Sequence, residues 1–297
     1  MKLVNMLIHG HAHLGVRMEN GGILPVTELA PIYGIGSRLP RRIEDVLHDP
    51  SSLGRLRDRL EQNPSAYADK IVPAARARLL PAVSHPAKIV CIGLNYRRHA
   101  QETGAPIPES PVVFSKFSDA VAAHGDVIPL PAGAEQIDFE GELAIVIGRY
   151  ARDVKREEAL DYALGYTVAN DVSARDLQMR TSQWLLGKTC PKFAPLGPDL
   201  ATADEIPDPN ALRIRTLVNG VKRQDSSTSD MIFSCAELIH YLSRYMTLAP
   251  GDVILTGTPE GVILGDPADK RVWLKDGDEV TIEIEGIGTL GNRFARA

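Results

Sequence analysis

Asp138-Phe139-Glu140-Gly141-Glu142-Leu143-Ala144-Ile145-Val146-Ile147-Gly148 is the stretch on which the reading of the fold turns. Its apolar second half reads as a strand. In a strand, Glu140 and Glu142 lie two apart and project to one face, while Leu143, Ile145 and Ile147 project to the other. Two carboxylates at the head of an apolar strand repel each other. A hard divalent cation such as Mg²⁺, which takes carboxylate oxygens and keeps waters for a substrate to displace, would hold them together. A solvated strand edge would accommodate them equally well.

Downstream, the apolar run Tyr166 to Ala169 leads into Asn170-Asp171, with a short helix expected just after. Asp171 at that strand end would complete a set of three oxygen ligands, or it or Ser173 would cap the helix. Arg175 and Gln178 are three apart and share a helical face suited to a substrate carboxylate, or to the solvent. Upstream, residues 88–94 read as a buried strand and residues 95–103 as a short helix. There His99 and Glu102 sit at i and i+3. The carboxylate can accept one imidazole N–H and leave the other nitrogen as a base; a surface pair is the alternative. Lys116 and Lys188 follow apolar segments, from which either reaches an oxyanion or the solvent. In Thr256-Gly257-Thr258 the glycine permits close approach and Thr258 supplies a hydroxyl, although a tight turn explains the glycine too. His9-x-His11-x-His13 has the look of the HxH metal pair of amidohydrolase barrels, but the regular βα alternation of such a barrel is missing.

The wider chain has 297 residues with 33 Lys+Arg against 38 Asp+Glu, a net charge of −5 that argues against nucleic acid as a partner. Its apolar runs stop short of the roughly 20 residues that span a bilayer, so no membrane role is expected. Three scattered cysteines, Cys91, Cys190 and Cys235, suit free thiols, and histidines interrupt the N-terminal apolar stretch where a signal peptide needs continuity. A cytoplasmic protein is expected. Asn20-Gly21-Gly22 and Asn219-Gly220 mark hairpin turns. Residues 41–62 read as a helix broken at Asp49-Pro50, and residues 231–245 as a helix capped by Ser229 or Asp230. Strands and helices do not alternate regularly, so the expected class is α+β. The Pro-rich stretch ending at Pro86 divides an expected small N-terminal domain, residues 1–85, from a larger one, residues 86–297.

In order and spacing, Gly93-Leu94-Asn95-Tyr96…His99…Glu102, Asp138-Phe139-Glu140-Gly141-Glu142, Asn170-Asp171-Val172-Ser173-Ala174-Arg175-Asp176-Leu177-Gln178, Lys188 and Thr256-Gly257-Thr258-Pro259-x-Gly261-Val262 together resemble the fumarylacetoacetate hydrolase family. The segment 223–233 also resembles its small bacterial members, the acylpyruvate or diketo-acid hydrolases. The resemblance implies a mixed β-roll catalytic domain, a homodimer, and one Mg²⁺ or Mn²⁺ held by Glu140, Glu142 and Asp171. It implies that His99, Glu102 and Lys188 are catalytic, and that Arg175, Gln178, Thr258 and Lys116 contact substrate. The implied substrate is a small keto acid. In the expected reaction His99, held by Glu102, takes a proton from water, which attacks the C4 carbonyl of a 2,4-diketo acid. The C3–C4 bond then breaks to leave pyruvate and a carboxylic acid. Oxaloacetate decarboxylation and isomerisation or hydration of ring-cleavage diacids share the fold and the same enolate chemistry. Other classes remain: an amidohydrolase using His9 and His11, or a binding module without turnover. After the Lys188-Thr189 pair, Cys190-Pro191-Lys192 departs from many relatives, and Lys192 near the site mouth is expected to favour an acidic substrate tail.

Overall fold

The computed structural model describes residues 1–33 and 39–296. The strand Gly141–Ile147 is buried along its whole length, and its two faces enter different cores. Leu143, Ile145 and Ile147 pack with Val168, Ile282 and Phe294. Ala144 and Val146 pack with Leu3, Leu14 and Leu24. Burial on both faces is why the segment is continuously apolar instead of alternating. Each such Ile or Leu contributes about 1.5–3 kcal/mol through the surface it removes from water.

That strand lies within an eleven-stranded mixed sheet. On one side it pairs antiparallel with Ala163–Asn170, which is followed outward by Ala194–Thr202, Lys2–Ile8, His11–Arg17 and Ile23–Pro25. On the other side come Val253–Leu255, Ile89–Gly93 and Val112–Lys116, with the middle pair parallel. A second, five-stranded sheet runs in the order Val221–Ser227, Arg213–Val218, Glu279–Ile284, Gly288–Arg296, Val127–Leu130, and closes over the Leu143 face. The helix Cys235–Tyr245 packs into this core through Leu238, Ile239 and Leu242, while the helices Ile43–His48 and Ser52–Gln62 cover the other core. This is an α+β fold dominated by sheet, of the mixed β-roll kind. Residues on both sides of position 85 share one sheet and one core.

Most local expectations match. The helix of residues 41–62 is broken at Asp49-Pro50, and Asn219-Gly220 forms a hairpin turn with both residues at positive φ. The long helix starts later than expected. Its cap is Ser234, whose hydroxyl accepts from the Glu237 N–H while the Glu237 carboxylate accepts from the Ser234 N–H. This reciprocal pairing satisfies two donors and wins over Ser229 and Asp230, which lie in a single 3-10 turn. Residues 156–162 form 3-10 turns. The strand Ala194–Thr202 is fully buried although it contains Pro195, Gly197 and Pro198, residues that argue against a central strand.

Candidate active site

The register of two strands builds the site. Gly141 faces Asn170 and Glu142 faces Ala169, so the chain leaving the second strand carries Asp171 back beside Glu140, where the Asp171 N–H donates to the Glu140 carbonyl at 2.9 Å. The Asn170 side chain accepts from the Glu140 N–H. Gly141 lies between the two glutamates with no room for a side chain: a Cβ there would stand 2.3 Å from the Thr216 hydroxyl oxygen. Gln224 secures this spot, accepting from the Gly141 N–H and donating to the Thr258 hydroxyl, which itself donates to the Gly141 carbonyl. The result is three buried carboxylates, Glu140, Glu142 and Asp171, whose ligand oxygens all lie within 4.8 Å of one another.

Three buried cations surround them. Lys188 Nζ donates to Glu140 Oε2 at 2.6 Å and to Asp171 Oδ2 at 2.9 Å. Burial alone would favour its neutral form, but Asp171 and Glu140 hold it above the ordinary lysine value. It reaches this position because Gly187 lets the turn Leu185–Lys188 lie on Arg175–Gln178, where a Cβ would stand 2.4 Å from the Gln178 nitrogen. Arg175 bridges Glu140 at 2.7 Å and Asp138 at 2.9 Å, and its remaining bonds include one to Gln178. Lys116 Nζ lies 2.6 Å from Asp171 Oδ1 and also donates to the carbonyls of Val172, Lys188 and Phe193. Burial lowers its pKa, since Asp171 only partly offsets the desolvation.

Four buried carboxylates, with Asp138 counted, thus meet three cations. The shortfall falls on Glu142, whose hydrogen-bond donor is the Gly257 N–H at 2.7 Å. Burial, then Asp171 and Glu140, push its carboxyl well above the ordinary range. Glu140 has the opposite balance: burial would raise it, but Arg175 and Lys188 hold it well below that range. An all-oxygen donor set with one carboxylate lacking a cation fits a hard divalent ion.

The dyad borders the same pocket. His99, buried on the helix Arg97–Glu102, places Nδ1 3.3 Å from Glu102 Oε2, and Glu102 Oε1 accepts from the Gly261 N–H at 3.0 Å. Gly265 presses against the same carboxylate, where a Cβ would lie 2.3 Å from its Cδ. The pocket of about 390 Å³ between triad and dyad is lined also by Arg175, Gln178, Lys188 and Thr258, with Phe114 and Trp184 as an apolar wall.

Of the ten residues named from the sequence, nine line this pocket or supply its triad, and Lys116 stands behind Asp171 with its side chain 0% exposed. Lys192 pairs with Asp126 at 3.5 Å and lies outside the pocket lining. Asp171 and Ser173 do not cap the following helix; its cap position is Ala174. His9, His11 and His13 belong to no metal-type cluster among the described residues. Asp138, Gln224 and Asn95 were not anticipated. Asp138 accepts from Arg175 and from the Ile263 and Leu264 N–H groups, and Asn95 ties residue 233 to the carbonyl of Thr256. For Asp138 a signal existed: it precedes Glu140 and Glu142 at the same two-residue spacing.

A description of the fumarylacetoacetate (FAA) hydrolase C-terminal region matches residues 88–295. The chain is 41% identical over 285 residues to oxaloacetate tautomerase FAHD2A, mitochondrial, of Bos taurus, covering 95% of this chain and 87% of that one. Among solved structures it is similar to a fumarylacetoacetate hydrolase of Exiguobacterium antarcticum, at 33% identity and TM-score 0.79 with both chains fully covered. It is also similar to maleylpyruvate hydrolase of Sphingobium sp. SYK-6 in complex with manganese(II) and pyruvate, at 29% identity and TM-score 0.78, again with full coverage of both.

Proposed function

The chain belongs to the fumarylacetoacetate hydrolase family, and within that family of enzymes we propose that it interconverts the keto and enol forms of oxaloacetate with one bound Mg²⁺ or Mn²⁺. The observation that carries this choice of reaction is the 41% identity to an oxaloacetate tautomerase across 95% of the chain, against 29–33% for the hydrolase structures named above. The geometry suits it. Tautomerisation needs one base near C3 and a positive environment for the oxygen on C2.

Glu140, Glu142 and Asp171 hold the ion, which when bound supplies Lewis acidity to the oxygens of a 2-oxo acid. Lys116 and Arg175 position Asp171 and Glu140, and Lys116 does this in place of touching substrate. Glu102 accepts the Nδ1–H of His99, so that Nε2 is the basic nitrogen facing the pocket. His99 takes a proton from C3, the C–H electron pair becomes the C2–C3 double bond, and negative charge moves to the C2 oxygen, at the end of the pocket where Lys188 is fixed. His99 then gives up the same proton, which passes through water to that oxygen, completes the enol and restores the free base; the reverse sequence restores the ketone. Thr258 and Gln178 orient the substrate head.

A second reading is hydrolysis of an acylpyruvate, favoured by the likeness to a hydrolase solved with manganese and pyruvate and by a dyad able to take a proton from water. One experiment separates the two. Enol oxaloacetate and a panel of acylpyruvates are each followed by ultraviolet absorbance and coupled pyruvate release, with Mn²⁺ and with EDTA. Mn²⁺-dependent loss of the enol without pyruvate release supports the first reading. Pyruvate release from an acylpyruvate without acceleration of ketonisation overturns it.

A further inference from the structure

Three cations other than histidine line the pocket, and two of them are committed. Arg175 is held by Asp138, Glu140 and Gln178, and Lys188 by Glu140 and Asp171. The third, Arg271, is different. Its Nε donates to the Asp266 carbonyl at 3.0 Å, and the Asp266 carboxylate is taken by Arg223 at 2.6 Å. Among the described residues no carboxylate pairs with the Arg271 guanidinium, and the side chain is half-buried. An arginine fixed through Nε keeps both terminal nitrogens free for bidentate contact with a carboxylate, a geometry a lysine cannot offer.

Its place in the chain fits this use. The segment from Gly261 to Arg271 runs along the pocket: Gly261 donates to Glu102, Gly265 presses on it, Ile263 and Leu264 are pinned to Asp138, and Leu264, Gly265 and Arg271 line the cavity. Glu140 and Glu142 of the triad line the same pocket from the sheet. A substrate whose 2-oxo acid head meets the triad therefore lies in the cavity that His99 and Arg271 also line.

We propose that Arg271 binds a second carboxylate at the far end of the substrate, which makes the pocket selective for 2-oxo dicarboxylates over 2-oxo monocarboxylates. This rests on the metal-bound 2-oxo acid reading above but not on which reaction follows. It also moves the acidic-tail role expected of Lys192 to a residue that faces the pocket.

The test is the ratio of dissociation constants, by calorimetry on the full chain loaded with Mn²⁺, for 2-oxopentanoate and 2-oxoglutarate, which differ in the distal carboxylate. The wild type prefers 2-oxoglutarate, and Arg271→Gln lowers that preference about 10- to 100-fold, the range lost with one charge-assisted contact. Arg271→Lys keeps part of it. A preference within about twofold of wild type in Arg271→Gln overturns the proposal. If oxaloacetate is tautomerised and the ratio does not move, this assignment fails alone. If the ratio collapses while no tautomerisation occurs, the reaction assignment fails and this one stands.

Discussion

Lys116 Nζ stands 2.6 Å from Asp171 Oδ1, with both side chains essentially without solvent contact. The lysine also gathers three carbonyls, from Val172, Lys188 and Phe193, so it joins a triad carboxylate to the segment that carries Lys188. Lys116→Met leaves Asp171 and three carbonyls without that donor. Breaking such a pair is expected to cost about 3–5 kcal/mol of stability and to weaken Mn²⁺ binding about 10- to 100-fold, read by urea denaturation and calorimetry. Wild-type values for both would show that the pair does not hold the site.

Asp171→Asn tests the triad. At a Mn²⁺ concentration about 100 times its dissociation constant, wild type gains about 2.7 kcal/mol, and its melting temperature rises accordingly. The variant is expected to show no such rise. An equal rise in both would remove Asp171 from the ligand set.

Glu102→Gln keeps the shape of the dyad and removes its charge. A loss of about 10²- to 10⁴-fold in kcat is expected for proton transfer by His99, with Mn²⁺ affinity unchanged. Any acylpyruvate hydrolysis should fall further than oxaloacetate decarboxylation, because only hydrolysis needs water deprotonated. Equal losses would count against that role.

Gly265→Ala places a methyl group where the Glu102 carboxyl now lies. The carboxylate must move, and kcat is expected to drop about 100-fold with little change in melting temperature, since misplacing a catalytic group by about 1 Å has that cost. Unaltered kcat would mean that the helix Arg97–Glu102 shifts freely.

Acid stability has a local source at the cap of the long helix. Burial alone would raise the Glu237 carboxyl, but the Ser234 N–H and hydroxyl outweigh it and hold it below the ordinary value. A carboxylate with a depressed folded pKa contributes stability that is fully present above its unfolded pKa of about 4.3 and is lost as pH falls through the folded value. The stability difference between wild type and Glu237→Gln is therefore expected to be largest near neutral pH and to shrink below about pH 4. Urea midpoints measured across that range check it; a pH-independent difference would assign the effect to shape alone.

Local pattern made much of the site legible. The two-residue spacing of Glu140 and Glu142, and the three-residue spacing of His99 and Glu102, specify faces without any tertiary information. Asp171 was legible because it ends an apolar strand. Lys116 was visible as a residue but not in its role, because nothing local says that three carbonyls from residues 172, 188 and 193 converge on it. Arg271 was invisible for the same reason: its lack of a carboxylate partner is a property of the folded surroundings. Lys192 misled, since sequence nearness to Lys188 says little once the backbone turns at positive φ, 63° at Lys192. Ala194–Thr202 was hidden by its prolines and glycine, which tertiary packing overrode.

The hydrogen bonds that assemble the site join residues far apart along the chain: 48 positions separate Lys188 from Glu140, 115 separate Gly257 from Glu142, and 159 separate Gly261 from Glu102. A short piece of the chain therefore carries no more of it than the local His99–Glu102 or Arg175–Gln178 contact. A divalent ion held by the triad would enter a site that strand register builds, in contrast to small metal domains that collapse around their ion.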